Sequence, residues 1–146
     1  MEKWGITILR VVVGLIFVAH GAQKLFQFGI TGTAGAMEQI GLPLPLLSAI
    51  LATAAEFLGG IALVTGLYTR LAAIPLAFTM LVAALTVHLK GGFFLPAGIE
   101  YALVLLAANM ALVLTGPGAL ALDNLRRSHD SASTLAGTRS REPRLA

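Results

Sequence analysis

Four apolar runs, about Trp4–Phe28, Leu46–Gly66, Leu71–Leu89 and Ala97–Thr115, occupy most of this 146-residue chain. Each is close to the roughly 20 residues a helix needs to cross the hydrocarbon layer of a bilayer. Backbone polar groups in lipid must be satisfied within their own segment, so the runs predict α-helices. Four of them predict an all-α fold, a transmembrane four-helix bundle with antiparallel neighbours. Composition agrees: the chain is 57% hydrophobic and 12% charged, with a mean hydropathy of +0.86, outside the usual range of water-soluble domains.

One domain, residues 1–123, is expected to hold the spans. Residues 124–146 are polar and arginine-rich and read as a basic, disordered cytoplasmic tail. The first run is not a secretory leader in this reading. It lacks an extended basic region, carries Arg10, and continues through His20 and Lys24 with no clean small-residue cleavage site.

The absence of cysteine excludes disulfides, thiolate metal sites and dithiol redox chemistry. The net charge of +3 comes largely from arginines near the C-terminus. It argues for membrane topology and contact with anionic lipid, and no nucleic-acid partner is expected.

Breakers divide the spans. "GITGTAGAMEQIGLPLP" predicts an exit, a short extracytoplasmic helix around Thr33–Ile40 and a re-entry; "GLYTR" predicts a tight turn; "KGGFFLPAG" separates the last two spans. Lys3, Arg70, Arg126 and Arg127 then fall on one side of the membrane, and Lys24 and Lys90 on the other. The positive-inside rule places both termini in the cytoplasm of a cell with this protein in its inner membrane.

Ionisable residues inside such spans are costly and point to function. At 100° per residue, Arg10, Gly14, Phe17, Gly21 and Lys24 share a stripe of the first helix with His20 at its edge. Glu56, near the middle of the second span, has Gly59 and Gly60 on its face. Gly14, Gly21, Gly59 and Gly60 are therefore candidates for close helix packing. Arg10 and Glu56 differ in depth by one to two turns, so a buried pair or proton relay between them is one expectation. Snorkelling of Arg10 and a purely structural Glu56 stay open beside it.

At the other end, His20, Lys24, His88 and Glu100 are expected at similar depth. They are the candidate ligand pocket, able to hydrogen-bond the carbonyls of a quinone or hold a small anion. No metal is expected, because no HxxxH or ExxH spacing is present and Lys24 would repel a cation. Ordinary interfacial polar residues are the competing reading.

The combination "LRVVVGLIFVAHGAQKLF", "AAEFLGGIALVTGLYTRLAA", His88 before "GGF", and "GIEYALVLLAANMALVLTGPGALALD" resembles the DoxX family of small four-helix bacterial membrane proteins. The resemblance runs from about Ile8 to Asp123. It places Arg10, Gly14, His20, Gly21 and Lys24 on the family's first-helix signature and Glu56, Gly59, Gly60, Gly66 and Arg70 on its second block. His88 and Glu100 match later polar positions, and Gly116, Pro117, Gly118 and Asp123 match the closing motif.

What the resemblance implies is a membrane component of a quinone-linked redox or oxidative and thiol-stress system. Quinone would be the cofactor, with the lipid bilayer, a membrane-associated redox enzyme and a second copy of the chain as partners. Two rival functions remain: a small-solute or proton-coupled transporter using Glu56, and a non-catalytic scaffold that recruits a soluble enzyme.

Overall fold

The computed structural model describes residues 1–126. The described residues are helical with no strand. Helix α1 spans Glu2–Ala22, continues without interruption into a π-helical turn at Gln23–Phe28, and is followed by α2, Gly29–Gln39. The sequence expectation of an exit ahead of a short helix is corrected here. The helix begins at Gly29 itself, whose φ of +69° redirects the chain within a single residue. Thr33, the buried residue of α2, ties the new helix down by donating its hydroxyl to the Gly29 carbonyl at 2.9 Å.

Helix α3, Pro45–Thr65, starts with proline in its first turn, where the missing N–H would have no intrahelical partner. It ends at Gly66 in the left-handed region, with Leu67 N donating to Ala62 O at 2.9 Å, so the last carbonyls are satisfied. Helix α4, Thr69–Ala83, passes through a second π-helical turn, Ala84–His88, and a 3₁₀ turn, Leu89–Gly91. Helix α5 is Glu100–Thr115.

Three helical stretches are long and apolar enough to cross a membrane: Glu2–Gln39, Pro45–Thr65 and Thr69–Gly91. The fourth run is shorter as a helix than its sequence implies. At 1.5 Å per residue the 16 residues of α5 reach about 24 Å. Residues 97–99 are instead drawn into the preceding loop, where Gly98 N and Ile99 N donate to Phe94 O and Gly92 O.

Packing follows the small residues. Helix α1 lies along α3, α2 covers α3 from another side, α4 packs on α5, and α3 meets α4. Val13 and Phe17 of α1, Leu63 of α3, Ala73 and Leu76 of α4, and Leu105 and Leu112 of α5 form the shared core. No more than a third of each long span is buried inside the protein. The remaining surface carries Ile8, Val12, Leu15, Leu51, Leu58, Phe78 and Val104, all exposed, and lipid is the solvent that such a surface fits.

Residues 122–126 form a further helical turn. These include the first three residues of the expected basic tail, and its remainder, 127–146, lies outside the described residues.

Candidate functional site

The register of α1 on α3 determines which polar groups meet. A Cβ on Gly14 would lie 2.9 Å from the Gly60 carbonyl oxygen and from Val64 N, and one on Gly21 would lie 2.6 Å from Phe57 N. One on Gly60 would lie 2.7 Å from Val18 N. Glycine at these three positions lets the two backbones touch, as in close membrane helix pairs. Gly59 differs, since it faces the Leu76 side chain of α4. Contacts that ascend α1 thus descend α3, and Lys24 arrives opposite Glu56.

Lys24 Nζ and Glu56 Oε2 are 2.5 Å apart. Glu56 is 3% exposed and Lys24 is partly covered, so the pair is shielded from water and correspondingly strong electrostatically. Lys24 sits in the π-helical turn, a local widening of the helix often found at functional sites. The edge-to-face pair Phe26–Phe57 places an aromatic wall on the same two elements. One turn before Glu56 on α3, the buried Thr53 hydroxyl has no partner among the described residues.

The expected Arg10–Glu56 pair does not form. Arg10 is 1% exposed, which also excludes snorkelling. Its guanidinium donates to the carbonyls of Leu63, Val64 (3.0 Å) and Leu120 (3.0 Å). It therefore caps the C-terminal end of α3 and ties it to the segment after α5, where the helix dipole and free carbonyls favour a cation. Around it the chain closes tightly. Thr7 Oγ1 bridges Lys3 O and Ala119 O, Ala119 N donates to Lys3 O, and Asp123 accepts from Tyr68 N and Thr69 N at 2.7 and 2.9 Å. Asp123 is thus the N-terminal cap of α4, supplied from 54 residues away.

The expected four-residue pocket is also divided. No hydrogen bond or ion pair joins His20, Lys24, His88 and Glu100 to one another among the described residues. His20 Nδ1 lies 3.0 Å from its own helix at Ile16 O, and its ring is 6.3 Å from that of Tyr101 on α5. His88 Nδ1 is 3.2 Å from Ala97 O, and Glu100 Oε1 accepts from Leu95 N at 2.7 Å. His88 and Glu100, from either side of the 92–99 loop, thereby fasten it at Ala97 and Leu95. Among the described residues no group of three His, Asp or Glu side chains converges as a metal site would require.

Sequence reasoning did not single out Thr7, Thr53, Tyr101 or Asn109. Asn109 is fully buried on α5, with its amide donating to Leu105 O at 2.8 Å and its Oδ1 unpartnered among the described residues. A lone Asn within "LLAANMALV" was the available signal, since amides inside membrane helices seek partners.

The geometry of the first two spans, with glycines at the contact and a Lys–Glu pair above them, falls inside the part of the chain that comparison with known families recognises. The DoxX family model matches residues 5–89. A Bacillus subtilis protein named "Putative oxidoreductase CatD" is 40% identical over 119 residues, covering 82% of this chain and 84% of that protein. The Escherichia coli "Inner membrane protein YphA" is 34% identical, covering 80% and 86%. "Uncharacterized membrane protein Rv3486" of Mycobacterium tuberculosis is 32% identical, covering 90% and 85%. No solved structure matches the chain. On the family match and on relatives that cover 80–90% of its length at 32–40% identity, the chain belongs to the DoxX family of membrane proteins.

Proposed function

We propose that this protein is a component of the bacterial inner membrane serving a quinone-linked redox or stress-defence system, with the Lys24–Glu56 pair as its working centre. In this reading α1, α3, α4 and α5 cross the bilayer as an antiparallel four-helix bundle with both termini in the cytoplasm. A membrane-associated redox enzyme is the partner, and a second copy of the chain is an additional one. The "oxidoreductase" in the name of the Bacillus relative and the "inner membrane" in that of YphA support the setting.

The observation that carries the proposal is the 2.5 Å Lys24–Glu56 contact, with Glu56 only 3% exposed. An ammonium has three donors, and Glu56 takes one. The others suit a carbonyl oxygen presented beside the Phe26–Phe57 wall, the polar-handle-on-apolar-body pattern of small-ligand sites. A bound quinone would supply two-electron, two-proton chemistry. The protein's share is positional: Lys24 donates to the ligand oxygen, Glu56 holds or passes a proton, and the surrounding helices exclude water. His20, one turn before Lys24 and facing Tyr101, lines the approach.

Titration of purified protein with a quinone analogue tests this. Binding to the wild type should weaken about tenfold or more in Lys24→Met combined with Glu56→Gln, and by a smaller factor in His20→Ala. Equal affinity in all three overturns the assignment.

The buried position of Glu56, with a Thr53 hydroxyl one turn away that has no partner among the described residues, favours a second reading, proton-coupled transport through that acid. Proton flux in liposomes that vanishes with Glu56→Gln would select it, whereas absence of flux at every pH would remove it.

A further inference from the structure

At the opposite end of the molecule from the Lys24–Glu56 pair, the closing segment after α5 gathers cations that the internal hydrogen bonding leaves unused. Arg70, in the first turn of α4, lies over Gly116, where a Cβ would meet its Nε at 3.1 Å and its Nη2 at 3.4 Å. That glycine gives the guanidinium a flat backbone bed. Arg126 stacks on Tyr68, with its Cζ 4.3 Å from the ring centroid. Lys3 enters the same segment through its backbone, which bonds Ala119 and Thr7. All three side chains are exposed, and their charged nitrogens have no hydrogen-bond or ion-pair partner among the described residues.

The acids nearby do not neutralise them. Among the described residues the side-chain cations Lys3, Arg10, Arg70 and Arg126 share this end with the two acids Glu2 and Asp123, which leaves it net positive, and both carboxylate oxygens of Asp123 already accept from the Tyr68 and Thr69 amides. Trp4 and Tyr68 are more than half exposed here, as aromatic residues are at the level of lipid headgroups. Helix α1 starts, α3 turns into α4 and α5 ends at this level, so in a membrane protein it lies at the bilayer surface.

We infer that Arg70, Arg126 and Lys3 form a binding site for the headgroup of an anionic phospholipid. Planar guanidinium forks match phosphate oxygens bidentately, and holding one against glycine and the other against an aromatic ring reduces the freedom lost on binding. The occupant is a membrane lipid and not a soluble anion, because the site faces the headgroup layer and is flanked by the exposed apolar side chains of Ile8, Leu71 and Leu125. This inference is independent of the quinone reading.

Native mass spectrometry of the full chain in detergent tests it, using phosphatidylglycerol and phosphatidylcholine of matched acyl chains. The wild type should retain phosphatidylglycerol preferentially. Arg70→Gln combined with Arg126→Gln should lower that affinity about twentyfold, as expected for two surface cations near anionic lipid. Arg139→Gln combined with Arg141→Gln, which removes the same charge from the tail, should change it less than about threefold. Equal loss in the tail variant, or equal retention of the two lipids by the wild type, overturns the site. So does tight binding of inorganic phosphate, without lipid, that is lost in the Arg70/Arg126 variant. If the double variant fails to fold, Arg126→Gln alone decides: an affinity loss of about fivefold supports the site, and an unchanged affinity rejects it.

Discussion

At the two ends of the α1–α3 seam, on either side of Gly14 and Gly21, lie Arg10 of α1 and Lys24 of the π-helical turn that continues it, and the two cations are used in opposite ways. Arg10 is sealed at 1% exposure and divides its donors among three backbone carbonyls from two other parts of the chain. Lys24 is partly open, rests in a π-helical turn, and gives one donor to a single carboxylate. The first arrangement seals the guanidinium inside the protein and completes the fold, with Nε left without a hydrogen-bond partner among the described residues. The second leaves donor capacity, an aromatic pair on the same two elements and a Thr53 hydroxyl without a partner among the described residues. A buried charge bound to carbonyls is a joint; whether one bound to another titratable group is a joint as well is what the variants below decide.

Both ends depend on the α1–α3 contact, so breaking that contact is the most severe test. Gly60→Val would put a branched side chain onto the Val18 backbone from a Cβ 2.7 Å from its nitrogen. The expected result is no monodisperse protein by size-exclusion chromatography. Separating the ends comes next. Arg10→Met strands the Leu63 and Leu120 carbonyls and should cost about 3–5 kcal/mol in a denaturation series in detergent.

At the other end Lys24→Met leaves Glu56 buried without its cation and should cost about 3 kcal/mol. Adding Glu56→Gln should restore stability to within about 1 kcal/mol, because a buried ion pair contributes little net when both charges are removed. If the double variant remained as unstable as Arg10→Met, the pair would be a joint as well, and the contrast between the ends would collapse. Asp123→Ala removes the cap on α4 and should cost about 1 kcal/mol. His20→Ala, on an exposed position bonded only within its own helix turn, should shift stability by less than about 0.5 kcal/mol while weakening quinone-analogue binding. A stability loss as large as that of Asp123→Ala would make His20 structural.

Much of the fold was legible because the physics is one-dimensional. Hydropathy over about 20 residues and glycine or proline at the turns locate the helices without knowledge of their neighbours. What hydropathy and breakers do not specify is the choice of partner across helices. Arg10 and Glu56 lie within reach of each other if the helices are ranked only by depth. The residues that set the actual register are Gly14, Gly21 and Gly60, and a glycine states that something approaches without saying what. The Glu100 and His88 contacts with Leu95 and Ala97 belong to a loop whose path has no periodicity to read.

The sequence by itself determined an all-helical membrane protein with small residues between its first two spans and a handful of ionisable groups too costly to place at random. Only the tertiary structure decided that Lys24, not Arg10, meets Glu56, and that Arg10 joins α3 to the segment after α5. The physical reason is that burial depends on composition and period, which each helix carries alone. Pairing depends on the register of two backbones in contact, and that belongs to neither helix until they pack.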